Sequence, residues 1–151
     1  MPISDVSKKL LSGTIMEWTK FTQERDKMTA VTGELGGAAR RVIQECLQYL
    51  KAQNIETVCE TPDELKVLGA EIQVVPTVET SFPNIKASVI LKCGGATRAI
   101  IVNPNLTISA GGAPFTYDMF KKAVPDVFTA NAAEFVRDAF LYIARTGGKE
   151  A

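Results

Sequence analysis

The stretch 85–110, IKASVILKCGGATRAIIVNPNLTISA, decides the fold. Ile85, Ala87, Val89, Leu91 and Cys93 alternate with Lys86, Ser88, Ile90 and Lys92. A period of two places each set on its own face of a β-strand. Cys93-Gly94-Gly95-Ala96 then reads as a two-residue hairpin, because Gly-Gly permits the positive φ values of a type I′ turn. That turn pairs Val89 with Ile100 and Ala87 with Val102 on one apolar face. The next turn is Asn103-Pro104-Asn105. As a three-residue loop with Asn105 left-handed, it sets Leu106 opposite Val102 and Ile108 opposite Ile100. A two-residue loop would bring Thr107 opposite Val102 and break the alternation. Upstream, over about Glu71–Thr80, Ile72, Val74 and Val78 extend the same face. Pro76 has no N–H to donate, which assigns that strand to an edge or a bulge. Residues 71–110 are therefore expected to form a four-stranded antiparallel meander with one apolar face.

Helical periodicity flanks the sheet on both sides. Ile3, Val6, Leu10, Trp18 and Phe21 recur at helical spacing and predict one buried stripe, with Ser4 as the cap and mixed charge outside. Gly33, Gly36 and Gly37 each cost ~1 kcal/mol in a helix interior. The expectation is a break near Thr32-Gly33 and a second helix over about Leu35–Gln53, with Ala38, Val42, Cys46 and Tyr49 on one face. One long helix kinked at the glycines is the alternative. Thr61-Pro62-Asp63-Glu64 combines an N-cap, an N1 proline and a capping-box glutamate, so a short helix is expected there, stopped by Gly69. Capping also accounts for the acidic cluster Glu60, Asp63 and Glu64 without invoking a carboxylate site. Thr116 is expected to cap a short helix carrying Met119, Phe120 and Ala123, which Pro125 stops. Asn131-Ala132-Ala133-Glu134 is expected to open a strongly amphipathic helix through Phe135, Val136, Ala139, Phe140 and Ile143, closed by Gly147-Gly148. Residues 1–151 thus read as a single α+β domain: helical 1–53, sheet 71–110, helical 116–146. Two N-terminal and two C-terminal helices would pack on the apolar sheet face.

Composition limits the function. Among 151 residues, 17 Lys and Arg balance 17 Asp and Glu, and there is no histidine. A net charge of zero creates no whole-protein field to concentrate phosphate backbones or anionic lipids. Without histidine there is no imidazole base, no Ser-His or Cys-His pair and no His metal ligand. At 46% hydrophobic and 23% charged, the chain has the composition of a soluble globular domain. No apolar run approaches the ~20 residues needed to span a bilayer, and MPISDVSKK has no apolar signal-peptide core. Cys46, Cys59 and Cys93 are odd in number and widely spaced, which fits neither a disulfide framework nor a C-x-x-C site. A protein of the cytoplasm, or of a host-cell interior, with no metal and no cofactor is expected.

Four candidates for chemistry remain. Gly111-Gly112 ahead of the Thr116 cap, with Lys121 and Lys122 nearby, could cradle an anion on backbone N–H groups. No nucleotide-binding signature accompanies it, and turn geometry accounts for the glycines. Cys93 has Lys92 beside it and Arg98 on the facing strand, which would favour a thiolate. It also alternates in phase with Val89 and Leu91, so a small core residue is expected. A single-stranded nucleic-acid platform needs aromatics on the sheet. Trp18, Phe21, Tyr49, Phe120, Phe135, Phe140 and Tyr142 all fall in or beside helices instead. The fourth candidate is the second sheet face, where Val75, Ile90 and Ile101 form a small apolar cluster. Lys86, Lys92 and several Ser and Thr residues ring it, as the rim of an interface would. A covering helix would serve equally well. The expected function is a non-catalytic protein–protein interaction or assembly module, a homo-oligomer and most simply a homodimer, held through that face or the N-terminal helices. The alternatives are a single-stranded nucleic-acid-binding protein and a small phosphate- or nucleotide-binding protein or enzyme.

Overall fold

The computed structural model describes residues 3–55 and 65–147. One continuous helix, α1 (Asp5–Ala52), stands where two were expected. Its 48 residues span about 72 Å at 1.5 Å per residue. Ser4 is the N-cap, its Oγ accepting from the Ser7 backbone N–H at 3.2 Å. The glycines at 33, 36 and 37 do not break the helix, because Met28, Val31, Thr32, Leu35, Ala38 and Ala39 around them are all buried. Burying one large apolar side chain contributes ~1.5–3 kcal/mol, more than a helical glycine costs. Gly36 has its own reason to be there, since a Cβ on it would stand 3.0 Å from Pro76 Cγ. The glycine lets the sheet edge approach the helix.

Of the short helix expected from Thr61, residues 61–64 lie outside the described residues. From Lys66 the chain is extended, which corrects the expected helix there. A small antiparallel hairpin pairs β1 (Lys66–Val67) with β2 (Ala70–Glu71). Leu68 and Gly69 make its turn, both at positive φ (48° and 83°), so Gly69 is a turn residue and not a helix stop.

The main sheet has five antiparallel strands in chain order: β3 (Gln73–Ser81), β4 (Asn84–Cys93), β5 (Ala96–Val102), β6 (Thr107–Ser109) and β7 (Phe115–Thr116). β3 is an edge strand, as Pro76 requires. The β4–β5 hairpin has the expected register, with Val89 opposite Ile100 and Ala87 opposite Val102. Only Gly94 of its glycine pair takes a left-handed φ (57°), so the turn is not type I′. The β5–β6 loop differs by one residue at each end. Leu106 takes the left-handed position (φ 62°) in place of Asn105, and Val102 pairs with Ile108. Asn103 and Asn105 are used instead for side-chain bonds, Asn103 Nδ2 to the Thr107 carbonyl (3.0 Å) and Asn105 Oδ1 from the Thr107 N–H (3.1 Å). A shift of two in register leaves every side chain on its expected face. β7, absent from the four-strand expectation, is two residues long and buries Phe115.

Two helices complete the described chain. In α2 (Tyr117–Lys122), Thr116 Oγ1 accepts from the Met119 N–H at 3.2 Å, the expected cap. α3 (Asp126–Thr146) begins earlier than expected, with Pro125 as N-cap. Asn131 therefore lies within the helix, where it is buried. Proline fits a helix entry and Asp126 suits the first turn, while Phe128 is fully buried and holds that turn to the core. Gly147 ends α3 at φ 67°, donating to the Ile143 carbonyl. Ile85, Ala87, Val89, Leu91, Cys93, Ile100, Val102 and Ile108 form one core with Met28, Leu35, Ile43, Leu47, Phe128 and Phe135. The helices lie on this apolar face, giving an α+β arrangement of two layers.

Candidate functional site

The other sheet face stays open. Val75 stands directly opposite Ile90, and Ser88 opposite Ile101, which makes Ile90 and Ile101 diagonal neighbours. Val75 is 45% exposed, Ile101 is 48% exposed and Ile90 is half-buried. Ala99, Thr97 and Gln73 on the same face are exposed, and Lys86 and Lys92 project at its ends. No helix among the described residues covers this cluster. The sheet reading thus brought together the residues it named, and α1 and α3 both chose the opposite face.

A second uncovered apolar surface lies on α1, and here the expected buried stripe is corrected. Ile3, Val6, Leu10 and Trp18 are exposed, and burial begins only at Phe21. Every residue from Lys8 to Lys20 is exposed, so this part of the helix is an arm projecting beyond the sheet. Its root is an aromatic trio. Phe82 at the β3–β4 turn lies 5.8 Å from Trp18 and 5.0 Å from Phe21, centroid to centroid. Beyond it, Val6 and Leu10 are 70% and 71% exposed, with Leu11, Ile15 and Met16 also exposed.

The third surface is a groove of about 730 Å³ between the C-terminal half of α1 and α3. Val42, Cys46, Tyr49 and Leu50 line one wall, and Ala133, Val136, Phe140 and Leu141 the other. Glu45, Asp126 and Arg137 supply its charged residues. The stripe Ala38, Val42, Cys46 and Tyr49, read from the sequence as one face, contributes three of its residues to this groove. The face of α1 that enters the core there is Ala39, Ile43 and Leu47. Burial, with help from Glu45, raises the Cys46 thiol above its ordinary pKa, so this wall is chemically quiet.

The remaining candidates have structural occupations. Gly111 (φ 81°) packs beside Asn131, where a Cβ would stand 3.2 Å from Oδ1, and a Cβ on Gly112 would strike Val127. Thr116 is engaged in its cap, and Lys121 Nζ lies 5.1 Å from the centroid of the Tyr117 ring. Arg98 turns away from Cys93 to α3, donating to Asp138 (2.9 Å), Glu134 (2.8 Å) and Asn131 Oδ1 (3.1 Å). That bonding holds the Asp138 carboxyl below its usual range, Arg98 being the main cause. Cys93 is buried and burial pushes its thiol up to about 11, the behaviour of a core residue. Phe115 is a strand aromatic the sequence reading did not place, but it faces the core and offers no stacking platform. No helix among the described residues is long and apolar enough to cross a membrane.

The groove was missed from sequence, and the arm, although the N-terminal helices were named as a contact, was expected to bury its stripe. Their signal was present as helical stripes, but a stripe does not say what lies against it. Compared with family models, with curated proteins and with solved structures, this chain finds no match.

Proposed function

We propose that this protein is a non-catalytic interaction module that assembles with copies of itself. The observation that carries this reading is the open sheet face with Val75, Ile90 and Ile101 at its centre. An antiparallel sheet with one wet face ordinarily alternates apolar-in and polar-out. Here three β-branched apolar residues sit together on the outer face, ringed by Ser, Thr and Lys. That composition belongs to an interface core with a polar rim. The arm adds a second apolar surface in the same molecule. A homodimer, the commonest closed assembly, buries such a patch against its own copy.

Sedimentation equilibrium and native mass spectrometry across a wide concentration range test the reading. Self-association with a defined stoichiometry is expected, and Ile101→Lys should weaken it with the monomer still folded. A protein that stays monomeric at high concentration, and whose stability and solubility are unaltered by Ile101→Lys, would refute the proposal.

A further inference from the structure

We propose that the groove between α1 and α3 receives the N-terminal arm of a second copy of this chain. This rests on the self-assembly reading and adds to the sheet face a second contact on the helical layer. The first support is helical phase. Leu10 precedes Met28 by eighteen residues, about five turns at 3.6 residues per turn, and precedes Phe21 by eleven, about three turns. All three therefore share one side of α1, and Phe21 and Met28 are buried. The arm continues a stripe that the rest of the helix uses for burial, with nothing of its own sheet left to cover it.

The groove fits such a stripe. Arm anchors Val6 and Leu10 stand at i and i+4 on α1, the spacing by which an amphipathic helix lies in an apolar groove, and Ile3 lies just ahead of the Ser4 cap. The α3 wall from Asp126 to Leu141 is about 22 Å long, and the helical arm from Asp5 to Trp18 is about 20 Å. The charges of the anchor segment 3–10 complement the groove in sign. Lys8 and Lys9 outnumber Asp5 there, with Glu17 balancing them only near the root of the arm, whereas Glu45 and Asp126 outnumber Arg137 at the groove.

The occupant has to come from another molecule. Leu10 and Cys46 belong to the same unbroken helix and lie about 54 Å apart along it, so an arm cannot fold back into its own groove. Arm-to-arm pairing is the weaker use of the stripe. The positions following Leu10 in a heptad frame are Gly13 and Glu17, leaving about two apolar heptads where a coiled coil needs about three or four. Reciprocal exchange lets each copy contribute both an arm and a groove. With about half of the arm's residues touching the groove, that brings roughly 20 residues a side into contact, the lower end of a standard stable interface.

A disulfide-trapping experiment on the full chain tests this. In a Cys59→Ser background, Leu10→Cys is oxidised with diamide and the linkage mapped by peptide mass. The expected product is a dimer joined from position 10 of one copy to Cys46 of the other, and it disappears with Cys46→Ser. A product joined from 10 to 10 that survives Cys46→Ser overturns the proposal, as does no cross-link in a protein that sediments as a dimer when the oxidation is run at alkaline pH, where the Cys46 thiol ionises. In both cases self-assembly itself stands. A monomer at every concentration overturns the assembly reading as well. Two exposed substitutions probe the contact from its two sides: Leu10→Glu on the arm and Ala133→Glu in the groove. Each should weaken dimerisation at least tenfold with unchanged helix content. A change below twofold in either overturns the proposal.

Discussion

Leu10 and Met28 lie on the same side of the same helix, yet one is 71% exposed and the other has no accessible surface. Nothing in local periodicity separates them. The difference is the sheet, which begins to cover α1 at Phe21 and reaches along it through β3 and β4. A helical stripe records what a segment can bury, whereas coverage depends on strands far away in sequence. The same contrast holds across the sheet itself, where neighbouring Ile100 and Ile101 face the core and open solvent.

Substitutions can break or sharpen this comparison. The largest effect is expected in the covered half of α1. Leu35→Ala should destabilise the protein by ~2–5 kcal/mol in denaturant unfolding, because it opens a cavity in a fully buried site. Leu10→Ala in dilute solution should change it by less than ~0.5 kcal/mol. Comparable losses at the two positions would mean that the arm is covered in the monomer. Next comes the helix–sheet approach. Gly36→Val should cost ~1–3 kcal/mol by overpacking against Pro76. Gly33→Ala, with nothing within 4 Å of its added Cβ, should instead raise stability by ~0.5–1 kcal/mol.

The Arg98 cluster should give a smaller, pH-dependent effect. Arg98→Ala should cost roughly 1 kcal/mol at neutral pH, since its carboxylate partners are partly exposed. The folded Asp138 carboxyl titrates below its unfolded value, so its contribution is present above the unfolded pKa near 4 and is lost as pH falls through the folded pKa. The gap between wild type and Arg98→Ala should therefore narrow in acid, as urea melts at pH 7 and pH 3 would show. The smallest expected effect is Ile101→Ala, within ~0.5 kcal/mol of wild type in dilute solution. A larger loss there would place Ile101 in the monomer's own packing and weaken its use as an interface.

What was legible in the sequence was local or strictly alternating. The Cys93–Ala96 hairpin gave its register because a two-residue turn leaves one way to align the flanking strands. The α2 cap was legible because Thr116 and the Met119 N–H are three residues apart. Even where the β5–β6 loop shifted by a residue at each end, the period of two kept Ile108 on the core face. The apolar cluster Val75, Ile90 and Ile101 was legible for the same reason, as a consequence of register.

Two of the misreadings involve long-range burial overriding a local signal. The glycines near Gly36 look like a helix break, but Val31, Leu35 and Ala39 bury against the sheet and carry α1 through them. Asn131 looks like an N-cap, yet Phe128 anchors an earlier turn and the Asn131 side chain goes to Arg98 from β5. By itself, the sequence determined which residues share a face, because strand and helix periods are properties of the backbone. Only the tertiary structure decided which faces are covered. That depends on where β3 and β4 meet a 48-residue helix too long for them, and on α1 and α3 both taking the same side of the sheet.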